Sequence, residues 1–375
     1  MSLVWKSYGD EIPFITSFFS RSLTSITIDV PASATPILSP ILMKLSTMAP
    51  NISRIVVERL HLEPSMEEVS SQLLMQCNPH RLRTYNVDAP LSASALSHVT
   101  QLPSLEEICL VGPFHFPDPL PNILFPSLRA LDIKSPRDLA WLKLLPKCPV
   151  LSMLYVQCPG SDFAQYMETL HSTITRCGMH DRLQELKLWS ADEFKITPQI
   201  LARNFPFKNL TSFQLHSTSK SIPCQTLDLT DADIGLLANA MPGLITLVIG
   251  EGPCSAPSKI TFNSLYAISR RCTRLTDLRI HFNPDSFINK VDHSRSGNDG
   301  FETPPSDVCS VTKIDVGSIR LSTHSNVSFI MALGLLEVFP CLEGIKYDYF
   351  SWSEVDKLIR SHRHIRSAAR QLTCV

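Results

Sequence analysis

The stretch that decides the fold is TDADIGLLANAMPGLITLVI, residues 230–249. Its first half predicts an amphipathic helix, because apolar residues recur at the spacing of one helical face, at positions 234, 237, 238 and 241. Thr230, with Asp233 three residues later, is typical of a capped helix start. Pro242 cannot continue the helix, and alternating apolar residues follow it, as in a half-buried strand. The stretch therefore predicts one helix followed by one strand.

The strand core of this unit, Leu244-Leu247-Ile249, belongs to a Leu-x-x-Leu-x-Leu pattern that occurs twelve times in the chain. The other cores are Leu23-Ile26-Ile28, Ile52-Ile55-Val57, Leu82-Tyr85-Val87, Leu105-Ile108-Leu110, Leu128-Leu131-Ile133, Leu151-Leu154-Val156, Leu183-Leu186-Leu188, Leu210-Phe213-Leu215, Leu275-Leu278-Ile280, Val311-Ile314-Val316 and Leu342-Ile345-Tyr347. They start about 23–36 residues apart, near the spacing of leucine-rich repeats. Because one unit cannot bury its apolar face alone, the units must stack. The sequence therefore predicts an α/β leucine-rich-repeat solenoid, a curved horseshoe with parallel strands on its concave face and helices on its convex face.

The segments between the cores support this register. Helical apolar spacing recurs at Met66-Val69-Leu73, Leu265-Ile268-Cys272 and Trp352-Val355-Ile359. Six prolines lie two residues before a core, at Pro50, Pro103, Pro126, Pro149, Pro242 and Pro340. Proline ends a helix and favours extended backbone in the residue before it, so each proline directs the chain into a strand. The asparagine that usually follows a leucine-rich core is absent, and we expect repeats of irregular length.

We expect three parts along the chain. Residues 1–22 are an N-terminal cap or a remnant, because Trp5, Phe14 and Phe18 are too apolar for a solvated tail, and we predict a short helical or irregular segment. Residues 23–359 form a single solenoid of about twelve repeats. It carries a flexible insertion at 283–307, which is rich in Pro, Ser, Gly, Asn and charged residues. Residues 360–375 form a basic tail.

The composition argues against several functions. The 375 residues include 34 basic and 35 acidic side chains, and a net charge of −1 provides no bulk attraction to nucleic acid or a membrane. No Cys-x-x-Cys pair occurs among the 11 cysteines, so we predict reduced structural thiols, no metal site and no cofactor. Four of these cysteines precede cores, where small buried residues are expected: Cys77, Cys148, Cys272 and Cys341. Without a secretory signal or a bilayer-spanning run, we expect a cytoplasmic or nuclear protein.

The candidate binding site consists of strand residues that flank the core positions. Side chains alternate between the faces of a strand, so these residues line the predicted concave surface. They are Tyr155, Gln157, Lys187, Trp189, Gln214, His216, Arg279 and His281. Aromatic and arginine side chains dominate the energetics of protein interfaces. The pattern predicts a protein partner on this surface, and the alternative is a set of ordinary solvated strand positions.

Catalytic motifs are absent from the sequence. It contains no Gly-x-Ser-x-Gly, no phosphate-binding Gly-x-x-x-x-Gly-Lys and no His-Glu-x-x-His. His281 and Asp277 lie on the same strand face, but no nucleophile accompanies them in a catalytic spacing. We therefore expect a binding protein and no enzymatic activity.

Residues 227–252, followed by 256–262 and Arg271-Cys272, resemble the leucine-rich-repeat region of the F-box-like proteins that are expanded in fungi. In that family the repeats present a substrate to a cullin-type ubiquitin ligase, and an N-terminal F-box binds the ligase adaptor. The resemblance implies a substrate receptor. Residues 1–22 hold no Leu-Pro-x-Glu motif and too few residues for an F-box, so we expect the substrate-binding half alone. An adaptor is expected only if an F-box lies upstream, and a free-standing scaffold is the alternative.

Overall fold

A computed structural model describes residues 1–6, 12–29, 31, 35–58, 64–112, 114, 116, 125–134, 139–158, 163–190, 194–198, 207–217, 225–250, 258–287, 309–317, 319, 321, 327–347 and 350–373. The chain divides into two compact units. The first consists of Met1–Cys158 with Ser172–Arg182, and the second of Pro159–His171 with Leu183–Val375.

The first unit contains seven parallel strands, each paired with the next along the chain. They are β1 (Ser2–Lys6), β2 (Ser25–Asp29), β3 (Arg54–Glu58), β4 (Thr84–Val87), β5 (Glu107–Val111), β6 (Ala130–Lys134) and β7 (Met153–Gln157). Core residues pair with core residues; Leu131, for example, lies beside Leu154, and both side chains are fully buried.

The second unit repeats this arrangement. Its strands are β8 (Glu185–Ser190), β9 (Phe194–Ile196), β10 (Ser212–Ser217), β11 (Gln225–Leu227), β12 (Thr246–Ile249), β13 (Asp277–Ile280), β14 (Lys313–Gly317) and β15 (Gly344–Tyr347). The strands β8, β10, β12, β13, β14 and β15 pair in parallel in that order, while β9 and β11 pair only with each other. Leu186 lies beside Phe213, which lies beside Leu247, and all three side chains are buried.

All twelve strand cores predicted from the sequence are strands in the structure, and every strand pair is parallel among the described residues. The α/β fold with parallel strands is therefore confirmed. The period-two alternation is visible in the burial of β8, where Leu186 and Leu188 are buried while Lys187 and Trp189 are half-exposed. The same alternation of one core face and one half-exposed face occurs in β2, β7 and β13.

The described residues also include eight α-helices: α1 (Thr35–Met48), α2 (Pro64–Gln76), α3 (Ala93–Val99), α4 (Phe163–Arg176), α5 (Asp231–Ala240), α6 (Phe262–Arg271), α7 (Val327–Val338) and α8 (Ser353–Thr373). The predicted capped start of α5 is present, because the Thr230 amide donates to Asp233 Oδ2 at 2.8 Å. Trp352, Val355 and Ile359 are fully buried, which confirms the predicted apolar face at the start of α8. A 3₁₀ helix, Ala140–Lys147, replaces an α-helix in the short repeat before β7.

The N-terminal segment contains the short helix that we expected and also a strand that we did not expect. It begins with β1, which pairs in parallel with β2, and continues through a 3₁₀ helix, Ile12–Phe18. Trp5 contacts Phe18 with ring centroids 5.7 Å apart. The physical reason is that β2 would otherwise leave an unpaired edge, whose backbone groups β1 satisfies.

A hydroxyl ladder lies at the start of the strands. The residue after the first core position is Ser or Thr in six repeats, and in five of them its hydroxyl donates to a backbone carbonyl of the preceding repeat or strand. These bonds join Thr24 to Met1, Ser53 to Thr24, Ser152 to Arg129, Thr211 to Gln184, and Thr276 to Ile245, at 3.0–3.4 Å. The backbone amides of the same residues also donate to those carbonyls in several repeats. The ladder therefore satisfies the hydrogen-bonding groups of the turn that precedes each of these strands.

Part of the predicted insertion belongs to the fold. Residues 283–287 are described, and the ring of Phe287 is buried and stacks on Phe262 with centroids 4.2 Å apart. Gly334 of α7 makes room for this ring, because a Cβ there would clash with Phe287. Residues 288–307, the remainder of the insertion, lie outside the described residues. The predicted basic tail continues α8 as far as Thr373.

The cysteines before the cores behave as expected in three of four cases. Cys77, Cys148 and Cys272 are buried, and burial raises the pKa of each thiol to about 12. Cys341 is exposed, so its predicted burial is wrong. Its turn follows α7 directly and leaves the side chain outside the core. None of the helices in the described ranges is long and apolar enough to cross a membrane.

Candidate functional site

The candidate site lies on the half-exposed side of the strands in the second unit. We call this surface the strand face and define it by Lys187, Trp189, Gln214, His216, Val248, Arg279 and His281. The parallel register aligns Lys187 with Gln214, Gln214 with Val248, and Val248 with Arg279, in one row across four strands. Six of the eight predicted site residues therefore share this surface.

A cation and an indole lie side by side on β8. The Lys187 Nζ is 5.7 Å from the centroid of the Trp189 ring, within the range of a cation–π contact. Both side chains are half-exposed. Lys187 forms no ion pair with a carboxylate in the described part of the chain, which leaves its positive charge available to a ligand.

Two histidines belong to the strand face, His216 on β10 and His281 directly after β13. His216 lies beside Trp189 in the register and is 8% exposed, so this predicted binding residue is mostly buried. Burial, with added repulsion from Lys187 and Arg279, lowers the pKa of His216 to about 4. Burial alone lowers the pKa of His281 to about 4. Both imidazoles are therefore neutral at physiological pH, and the Nδ1 atoms of both have no hydrogen-bond partner among the described residues.

The row ends in a charge network toward β15. Arg279 Nε lies 3.7 Å from the carboxylates of both Asp277 and Asp315. Asp315 also accepts an ion pair from Lys346 at 3.0 Å. The charge of Arg279 is therefore largely balanced within the protein, in contrast to that of Lys187. Val248 is buried and apolar, and it lies between Lys187 and Arg279 in the row.

The two remaining predicted residues, Tyr155 and Gln157, lie on β7 of the first unit and are half-exposed. Tyr155 aligns with Asp132 of β6, which in turn aligns with Cys109 of β5. Burial raises the pKa of the Cys109 thiol well above its usual range, and the nearby Asp132 carboxylate raises it further. On the same sheet Lys134 pairs with Asp88 at 3.5 Å. This surface is polar and internally paired.

Sequence reasoning missed the parts of the strand face that depend on neighbouring repeats. Asp315 sets the charge balance of Arg279 from another strand, and Val248 supplies the apolar position between the two cations. The signal for Val248 was present, since it alternates with the core residues Leu247 and Ile249. No local pattern identifies Asp315, because its role follows from the pairing of β13 with β14.

The fold and this surface define an α/β protein built from strand–helix repeats with parallel strands. Comparison with protein-family models and with curated proteins found no match for the chain.

Proposed function

We propose that this chain is a non-enzymatic protein-binding module, the leucine-rich-repeat half of an F-box-like substrate receptor for a cullin-type ubiquitin ligase. The observation that carries the proposal is the Lys187–Trp189 pair. It combines a half-exposed indole with a cation that has no described carboxylate partner. Such a pair supports binding of a protein segment that offers both an apolar side chain and a carboxylate.

The surroundings of the pair favour a protein ligand. Tryptophan and arginine are the side chains most often responsible for affinity in protein interfaces. On the strand face, the neutral imidazoles of His216 and His281 add apolar and hydrogen-bonding surface without adding charge. A carboxylate placed beside Lys187 would form a hydrogen-bonded ion pair, and an apolar side chain would pack on the Trp189 ring.

The ubiquitin-ligase assignment rests on the resemblance of residues 227–272 to the F-box-like family, together with the strand–helix repeats. In the receptor model the strand face binds the substrate, and an F-box upstream of the repeats would bind the adaptor. The alternative is a free-standing scaffold that uses the same surface and has no link to a ligase. The two differ in the proteins that accompany the chain.

Affinity purification of the tagged full-length protein from its own cells tests the proposal. The unmodified protein should retain a specific partner that Trp189→Ala loses. Phe329→Ala is the matched control, because Phe329 is an exposed aromatic residue on α7 and lies off the strand face. Adaptor and cullin in the eluate support the receptor, whereas a partner without them supports the scaffold. Equal recovery of every partner by Trp189→Ala would contradict the proposed surface.

A further inference from the structure

A cleft of about 260 Å³ lies at the last strand of the second unit. Its walls are formed by β14 and β15 on one side and by α8 on the other. It is lined by Lys313, Glu343, Gly344, Ile345, Lys346, Arg360 and Arg363. Four of these seven side chains are basic, although the chain as a whole has a net charge of −1.

A glycine, Gly344, is among the residues that line the cleft. Gly344 aligns with Lys313 across the pairing of β14 and β15. A Cβ at position 344 would lie 3.0 Å from Arg360 Nη2, closer than side chains normally approach. The glycine therefore lets Arg360 lie over the strand while Lys313 and Lys346 approach from the sheet.

The charges in the cleft do not cancel. Glu343 accepts from Arg363 at 2.8 Å, and Asp315 pairs with Lys346 at 3.0 Å. The buried Asp356 pairs with Arg360 at 2.7 Å. Lys313 is exposed and has no carboxylate partner in the described part of the chain. Three of the four cations are thus paired with a carboxylate, Asp315 being shared between Lys346 and Arg279, and the exposed charge of Lys313 is left available to an anion.

We propose that this cleft binds a phosphate monoester. A phosphate group presents three oxygens and nearly two charges, which suits cations that approach from two sides. Guanidinium groups match such oxygens with paired hydrogen bonds, and Arg360 and Arg363 both line the cleft. The volume of the cleft exceeds that of a phosphate group and leaves room for part of the organic group to which the phosphate is esterified. The site is independent of the proposed strand-face partner and would stand if that proposal failed.

Isothermal titration calorimetry with the full chain tests the site. The probes are inorganic phosphate and N-acetyl-phosphoserine amide, at about pH 7.5 where both are mainly dianions, with sodium chloride as the control anion. Lys313→Gln and Arg363→Gln should each weaken binding by about fivefold, the upper end of what one exposed charge contact contributes. Lys357→Gln is the matched control, since Lys357 lies on α8 and pairs with Glu354 outside the cleft.

A gain of affinity provides the sharpest check. Glu343→Gln removes the carboxylate that competes for Arg363 and should strengthen phosphate binding by about threefold to fivefold. Tighter binding of the phosphoserine compound would identify a phosphorylated residue as the ligand, and equal binding of both probes would identify the phosphate group alone. The proposal is overturned if neither probe binds above the chloride control. It is also overturned if the Lys313 and Arg363 variants bind as well as the unmodified chain.

Discussion

The Ile345 amide donates a hydrogen bond to the buried carboxylate of Asp356 at 2.8 Å. Ile345 lies on β15, the last strand in the pairing order, where an amide facing outward has no neighbouring strand. Asp356 lies on α8 and also accepts from Arg360 Nε at 2.7 Å. A helix side chain therefore takes the place of a further strand at this edge, a common way of protecting the end of a sheet.

Replacing Asp356 with Ala should uncover the edge of β15. The loss of a charged acceptor leaves the Ile345 amide unsatisfied, and we expect the free energy of unfolding to fall by about 1–3 kcal/mol. Hydrogen exchange at Ile345 should accelerate more than exchange in β12. Glu354→Ala is the control, because Glu354 lies two residues earlier on the same helix and is exposed. Unchanged protection of Ile345 in Asp356→Ala would refute the role assigned to this carboxylate.

Leu186→Ala should create a cavity beside Phe213 in the second unit. The side chain is almost fully buried, and large-to-small changes of this kind cost about 2–5 kcal/mol. Because stacked repeats couple mainly to their neighbours, protection from hydrogen exchange should be lost first in β8 and β10. Leu236→Ala on α5 removes a mostly exposed leucine and should cost far less. Uniform loss of protection throughout the chain would contradict the local coupling.

The hydroxyl ladder predicts a specific cost for losing one hydroxyl. Thr211 Oγ1 donates to the Gln184 carbonyl at 3.1 Å. Thr211→Val keeps the side-chain shape but removes the donor, and we expect a loss of about 0.5–1.5 kcal/mol in chemical denaturation. Thr211→Ser retains the hydroxyl and serves as the control. If Val and Ser variants were equally stable, the ladder would contribute nothing at this position.

The two histidines of the strand face predict a decline of stability in mild acid. Burial lowers the pKa of His216 and of His281 to about 4, whereas histidines in the unfolded chain titrate with the ordinary pKa of about 6.5. Between these values the unfolded state binds more protons, so stability is lost as the pH falls from about 6.5 toward 4. Denaturation curves of the double variant His216→Gln/His281→Gln should lose less stability over this window. His364→Gln, on the exposed side of α8, should follow the unmodified chain.

The sequence could predict the strands because their signal is local. Each core places apolar residues at the Leu-x-x-Leu-x-Leu spacing within six positions, and all twelve cores occur as strands. β1 carries no such core, and it forms because β2 offers an edge to pair with, which is a tertiary effect. Likewise, residues Ala140–Lys147, which include Pro146, form a 3₁₀ helix. The apolar spacing of this segment does not distinguish a 3₁₀ helix from an α-helix.

The candidate site could be predicted in part for the same reason. Alternation placed Trp189 and Lys187 on the half-exposed side of β8, and the structure agrees. The depth of His216 could not be predicted, since it depends on side chains of neighbouring strands. The closure of β15 by Asp356 depends on how α8 packs, which no local pattern encodes.

Hydrogen exchange of the chain with and without its purified partner tests the proposed binding surface most directly. The account predicts that partner binding newly protects the amides of β8 and β10 from exchange, with the strongest effect at Trp189 and His216. In the Lys187→Glu variant this protection should be weaker, because the reversed charge repels the carboxylate of the partner segment. The helices α5 and α6 should exchange as they do in the free chain. Protection confined to those helices, with β8 and β10 unchanged, would contradict the assignment of the strand face as the site of partner binding.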